Sequence, residues 1–208
     1  MNRSLIVVLL VAGAVWHLWP DSLHSAYSDD LAGLVAPIRV SGLSPFQAPQ
    51  QRLLESTDSL RVDDLEIRLR AEFEVAARVL SREDYRWGEW AGLSPLDLAL
   101  GWGPMSDPSV LADIDISQGG RFYSWRVDEF PIPRADIEQS SANMHIIVGQ
   151  PYLFDRLDAV QAGDQLRLSG YLVDVDRDDG WYWRTSLIRT DTGNGACELF
   201  LVTDVESI

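Results

Sequence analysis

Apolar and polar residues alternate at 71–79, broken only by Ala76: Ala71, Phe73, Val75, Ala77 and Val79 fall on one side, Glu72, Glu74 and Arg78 on the other. A period of two predicts a strand half-buried against a core. Ser94, with Pro95 at the first helical position, predicts a short helix to about Leu100 closed by Gly101. Ser106 or Asp107 before Pro108 predicts another to about Ile114. Gly119-Gly120 then turns the chain into an aromatic strand at 121–127 (RFYSWRV). Residues 133–139 read as a helical turn, 144–148 (MHIIV) as a buried strand, and 151–160 as a helix with Leu153, Phe154, Leu157 and Val160 on one stripe. Gly163-Asp164 leads into a strand at 165–175. Asp179-Gly180 is a hairpin signal, followed by strands at 181–189 and, past the TGNG turn at 192–195, at 196–205. The pattern predicts a mostly β, α+β domain, built as a small partly closed β-barrel or a sandwich.

Ahead of that domain the pattern changes. Arg3 precedes an uncharged run at 5–16 (LIVVLLVAGAVW), apolar character resumes at Leu18-Trp19, and Pro20 ends it. Positive-then-apolar is an export signal, and cutting after Ala12-Gly13-Ala14 leaves a signal shorter than the usual ~15–30 residues, so the segment is read as an uncleaved transmembrane anchor. The stretch 4–20 is short against the ~20 residues of a standard span, with Trp16 and Trp19 suited to the interface. Arg3 on one side and Asp21, Asp29 and Asp30 on the other place the remainder outside the cytoplasm. The expected organisation is a signal anchor at 1–20, a tether at 21–57 and an extracytoplasmic globular domain at 58–208. This describes a single-pass protein of a bacterial inner membrane with a periplasmic domain.

Composition narrows the chemistry. The 208 residues carry 32 acids against 17 basic residues, a net charge of −15, which repels nucleic acid. Every basic residue is Arg, so a Schiff-base lysine, a Ser–Lys dyad and a Walker-type phosphate loop are excluded. Of three histidines only His145 lies in the domain, so no multi-histidine zinc site can form, and no metal or cofactor is expected. A lone cysteine, Cys197, leaves the core without an internal disulfide.

The passages ARVLSREDY (77–85), LSPLDLALGWGPMSDPSVL (93–111), ISQGGRFYSWRV (116–127), SANMHIIV (141–148) and RTSLIRTDTGNGACELFLV (184–202) resemble a group of uncharacterised bacterial membrane-anchored envelope proteins. The resemblance implies a location and no activity. Similar chains read Pro after the His-containing strand, where Val148-Gly149 stands here.

Three groups of residues bear on function. Cys197 and His145 are a candidate thiolate–imidazole pair, with Arg184 or else Arg189 as anion stabiliser, in an order loosely similar to sortase-type transpeptidases; the bland alternative is a small cysteine packed in the last strand. Trp87, Trp90, Trp181 and Trp183 form a candidate aromatic platform for sugar rings or a partner, against plain core packing. Asp174, Asp176, Asp178 and Asp179 before Gly180 look like half a calcium loop, but Asp179 stands where Gly and Thr185 where Glu would be needed, which favours a solvated turn. The function expected from these signals is a membrane-tethered binding or accessory domain of the cell envelope, with an envelope protein or cell-wall component as partner. The alternative is a Cys/His-dependent acyl transferase or hydrolase, so whether the chain is an enzyme stays open.

Overall fold

The computed structural model of the chain describes residues 28–55, 59–189, 191, 193 and 196–208. In chain order the elements are α1 (Ser28–Ala32), β1 (Gln50–Leu53), β2 (Ser59–Val62), β3 (Leu65–Asp84) and β4 (Leu96–Gly101). A 3-10 turn (Gly103–Ser106) leads to α2 (Pro108–Leu111), the hairpin β5 (Asp115–Gly119) and β6 (Phe122–Arg126), α3 (Arg134–Gln139) and β7 (Ser141–Val148). A second 3-10 turn (Pro151–Leu153), α4 (Phe154–Asp158), β8 (Gln165–Arg177), β9 (Tyr182–Trp183) and β10 (Glu198–Ser207) complete the chain.

Eight strands make one sheet in the order β1-β3-β4-β7-β10-β8-β9, with β2 on β3, while β5 and β6 form a separate two-stranded sheet. β3 also pairs with β8 from Leu65 to Arg78, so it joins both ends of the run β3-β4-β7-β10-β8. β10 is parallel to β7 and antiparallel to β8. The expected partly closed barrel or sandwich behind a transmembrane anchor is corrected accordingly: the described chain is a mixed α/β fold with two sheets. Among the described residues no helix is long and apolar enough to cross a membrane. The stretch read as an anchor, 1–20, lies outside the described residues. The inner-membrane partner and the single-pass periplasmic location, which rested on it, are withdrawn.

Alternation explains how one sheet carries two cores. Phe73, Val75, Leu98, Ile146, Leu168 and Phe200 meet in the larger one, where the rings of Phe73 and Phe200 pack edge to face at 5.2 Å. Residues one step out of phase, Val173, Val175, Leu199 and Leu201, face the opposite way and pack with Leu31, Val35, Leu65 and Ile67. A register shift between Leu69 and Ala71 moves β3 from the second core to the first, as a bulge does when it re-aims side chains. Residues 28–55, within the stretch read as a tether, lie against this second core. Ile38 donates its N–H to Thr203 Oγ1 at 3.0 Å, Tyr171 Oη donates to Ala36 O at 3.1 Å, and β1 pairs with β3.

Local signals misjudged two elements. The helix read at 94–100 is β4, all six of whose residues are buried between β3 and β7. Strand pairing on both edges outweighs the cap-like Ser94-Pro95 start, and Pro95 sits just before the strand, where its missing N–H breaks no ladder. The strand read at 181–189 shrinks to β9, because the chain beyond it is held by side chains: Ser186 Oγ, for example, donates to Ile188 O at 3.0 Å.

Candidate functional site

The site begins with a turn. Gly120 and Arg121 both take positive φ, 60° and 71°, as the two central residues of a type I′ hairpin turn do. A non-glycine residue is uncommon there, and the side chain of Arg121 shows what holds it. Nη1 donates to Asp97 Oδ1 at 2.8 Å and to Ser94 Oγ at 3.2 Å, and the guanidinium lies 3.5 Å above the ring of Tyr85. Its main-chain N–H donates to Tyr85 Oη at 2.9 Å. Burial first, and then the negative charge of Asp97, push the Tyr85 hydroxyl up to about 12, so it stays protonated and able to accept.

Asp97, fully buried in β4, stands opposite His145 of β7. Its Oδ1 is 3.0 Å from His145 Nδ1, an ion-pair distance without the alignment of a hydrogen bond. Asn143, two residues earlier on the same side of β7, donates Nδ2 to Arg121 O at 3.2 Å and accepts from Gln118 Nε2 at 2.7 Å. Together these bonds fasten the β5–β6 hairpin onto β4 and β7.

The fastened hairpin walls off a cleft of about 550 Å³, bounded also by the first residues of β7 and the chain entering β10. Trp102, Phe122, Trp125 and Phe130 supply aromatic surface, the last two edge to face at 6.1 Å. At its base lies Glu198, 1% exposed. Arg189 donates to one oxygen, Oε1, and also to Ser186 O at 3.0 Å. The other oxygen, Oε2, is buried and has no partner among the described residues. Burial outweighs the pull of Arg189 and pushes the Glu198 carboxyl up to about 8. Of the two oxygens, Oε2 is the one free to carry a proton, because Oε1 is already receiving a hydrogen bond. The adjoining Cys197 thiol is pushed up to about 11, by burial and then by the charge of Glu198.

The residues singled out from the sequence fall around this cleft as follows. Cys197 lines it, beside Asn143, whose Nδ2 is 4.0 Å from the sulfur. His145 is turned toward Asp97 and toward the ring of Trp183, 4.7 Å away. Arg184 donates to Val175 O at 2.9 Å and pairs with Asp176. Trp90 stacks on Trp181 with ring centroids 3.5 Å apart, Trp183 meets both edge-on, and Arg177 lies 4.7 Å above Trp90. Trp87 is 70% exposed. The acyl-transferase alternative is corrected on this geometry, since the thiol stays protonated and the Arg184 guanidinium is engaged by Asp176.

Each aspartate of the calcium-like turn faces an arginine: Asp174 pairs with Arg70, Asp176 with Arg68, Asp178 with Arg61 and Asp179 with Arg177. Among the described residues no group of three or more His, Cys, Asp or Glu side chains is placed to hold a metal ion. The residues that sequence reasoning passed over are Asp97, Arg121 and Glu198, while Arg189, weighed there as an anion stabiliser, is found bonded to Glu198. Two of them carried a signal: a lone carboxylate inside an otherwise apolar run, LDLAL for Asp97 and ELFLV for Glu198, which is rarely buried unless paired.

Fold and cleft together define a mixed α/β domain with an aromatic-walled hollow over a buried acid. No family model, curated protein or solved structure matches the chain. The resemblance to membrane-anchored envelope proteins is corrected by that result and by the absence of a membrane-crossing helix among the described residues. The tethered envelope-accessory function falls with it.

Proposed function

We propose that this is a ligand-binding domain whose site is the cleft between β6, the start of β7 and the chain entering β10. Glu198 carries the reading: its Oε2 is a buried polar atom without a partner among the described residues, and Glu198 lines an aromatic-walled hollow. Such an atom costs roughly 1–3 kcal/mol while unsatisfied, and a ligand carbonyl arriving at the protonated oxygen recovers that loss. Trp125, Phe122 and Phe130 add flat apolar area, the usual lining of a site that orients its ligand through few polar groups. Rim charges are balanced within the protein, Arg126 by Asp115 and Arg134 by Glu138, each at 2.8 Å. The part of the ligand that reaches Glu198 is therefore neutral, whereas the exposed rim pairs can still share a charge carried outside the hollow. Binding is favoured over group transfer because the one thiol at the site stays protonated.

NMR titration of the full chain tests this, with N-acetyl amino-acid amides as carbonyl-bearing probes and methyl glycosides as carbonyl-free ones. Binding shifts the signals of Phe122, Trp125, Phe130 and Glu198. Glu198→Ala weakens it by about tenfold, the equivalent of ~1.4 kcal/mol, while Glu198→Gln, which keeps a donor, retains it. Shifts confined to other surfaces, or none with either probe class, would reject the reading.

A further inference from the structure

The cleft looks onto strand edges. Every residue from 122 to 127 lines it, and so does every residue from 141 to 143. A strand seen face-on offers alternate residues only, so an unbroken run means that the backbone edge faces the hollow. The register agrees. Gly119 and Phe122 flank the two-residue turn, and pairing continues through Ser117↔Ser124 and Asp115↔Arg126. In an antiparallel hairpin closed by such a turn, these pairs exchange the hydrogen bonds. The main-chain N–H and C=O groups of Tyr123 and Trp125 therefore point away from β5, and no other described group bonds them. β7 is likewise open at its start: residues 141–143 pair with β4 on one side, while β10 joins the other side only from Glu198↔Met144.

From this we infer that the ligand of the proposed site is an extended peptide segment that adds as a strand to the free edge of β6, with one carbonyl reaching Glu198 and an acidic residue at the Arg126–Arg134 end. The inference rests on the binding reading above and names the class of ligand. Open edges are templates for strand addition, in which main-chain bonds give affinity and alternate side chains give selectivity. Five residues of β6 span roughly 17 Å, so the occupant is a segment of about that length. One of its side-chain rows packs on Trp125 and Phe130. Charge complementarity sets its direction of preference. In a chain of net charge −15, Arg126 and Arg134 are exposed cations at one end of the cleft, and their present pairs with Asp115 and Glu138 are solvent-exposed ones that an incoming carboxylate can share.

The test uses the full chain and N-acetylated pentapeptide amides of alternating apolar and polar residues, with and without a terminal aspartate. Each is also made with its central main-chain amides N-methylated. Strand addition slows hydrogen exchange at the amides of Tyr123 and Trp125 by about tenfold or more and leaves Ser124 and Arg126, already bonded to β5, unchanged. The N-methylated peptide loses binding, and the aspartate-bearing peptide binds more tightly, an advantage removed by Arg126→Gln. Peptide binding that survives N-methylation, or that leaves exchange at Tyr123 and Trp125 untouched, overturns the inference. Methyl glycosides that occupy the cleft while no peptide does would also overturn it yet leave the binding reading standing. Silence from both probe classes removes both.

Discussion

Arg121, held at positive φ in a hairpin turn, reaches into the main sheet to place Nη1 2.8 Å from Oδ1 of Asp97, a carboxylate with no exposed surface. One ion pair thus links a turn whose residues are local in sequence to a strand more than twenty positions earlier. Removing one partner of a buried pair leaves the other charged and unpaired, at roughly 3–5 kcal/mol.

Arg121→Ala is therefore expected to destabilise the domain by about that amount, because it strips the cation from a fully buried carboxylate, and Asp97→Ala by less, because the guanidinium it leaves behind is partly exposed. The double variant should be less damaged than the sum of the two. Urea unfolding of all four chains measures the coupling, and additive losses would show that the pair does not fasten the hairpin.

Glu198 makes stability depend on pH. Folded, it keeps its proton up to about pH 8; unfolded, it releases it near the ordinary carboxyl value of 4.5. Between those values the folded state binds more protons, so this contribution is complete below the lower one. It falls as pH rises, by at most about 1.4 kcal/mol per unit, and is spent above the upper one. Glu198→Gln should flatten the slope of unfolding free energy between about pH 5 and pH 8. An identical slope in the variant would place the linked proton elsewhere.

Cys197 should be a sluggish thiol. With its proton held up to about 11, the thiolate fraction at pH 8 is roughly a hundredfold smaller than that of an unfolded cysteine near 8.5 to 9. Iodoacetamide labelling of the folded chain is expected to be slow at pH 8 and to accelerate only above about pH 10. Fast labelling at neutral pH that disappears with His145→Ala would instead reveal an activated thiol.

Gly101 is fixed by space and not by backbone angle. A Cβ there would collide with the carbonyl oxygen of Met105 and come within 2.8 Å of Leu80 Cδ2. Because the first obstacle is backbone, Gly101→Ala should lower stability by about 1–3 kcal/mol or more. A Tm within a degree of the parent's would mean that the 3-10 turn after β4 yields freely.

The sequence was most informative where one residue's neighbours along the chain are also its neighbours in environment. Ala71, Phe73, Val75, Ala77 and Val79 alternate with charges because one side of β3 is apolar along that length, and all five lie in the larger core. Asp107 before Pro108 announces α2, whose cap it forms by accepting from Ser109 N at 2.8 Å. Residues 94–100 misled because Ser-Pro followed by LDLAL satisfies a helix start and a buried strand alike, and pairing with β3 and β7 made the choice. The cleft was hidden for the same reason. Arg121, Asn143, Arg189 and Glu198 carry no shared spacing, and they meet because β4, β7 and β10 are neighbours in the sheet.

By itself, then, the order of residues determined that stretches such as 71–79 and 165–175 are extended, that turns fall near Gly119-Gly120 and at Asp179-Gly180, and which chemistries a chain without lysine and with one cysteine lacks. Those properties depend on backbone preferences and composition, which act over a few residues. The tertiary structure alone decided that Glu198 is buried beside Arg189 with one oxygen unpartnered, that Arg121 closes on Asp97, and that the edge of β6 stays open over a hollow. Burial and pairing are relations between segments far apart in the chain, set by which strands share an edge.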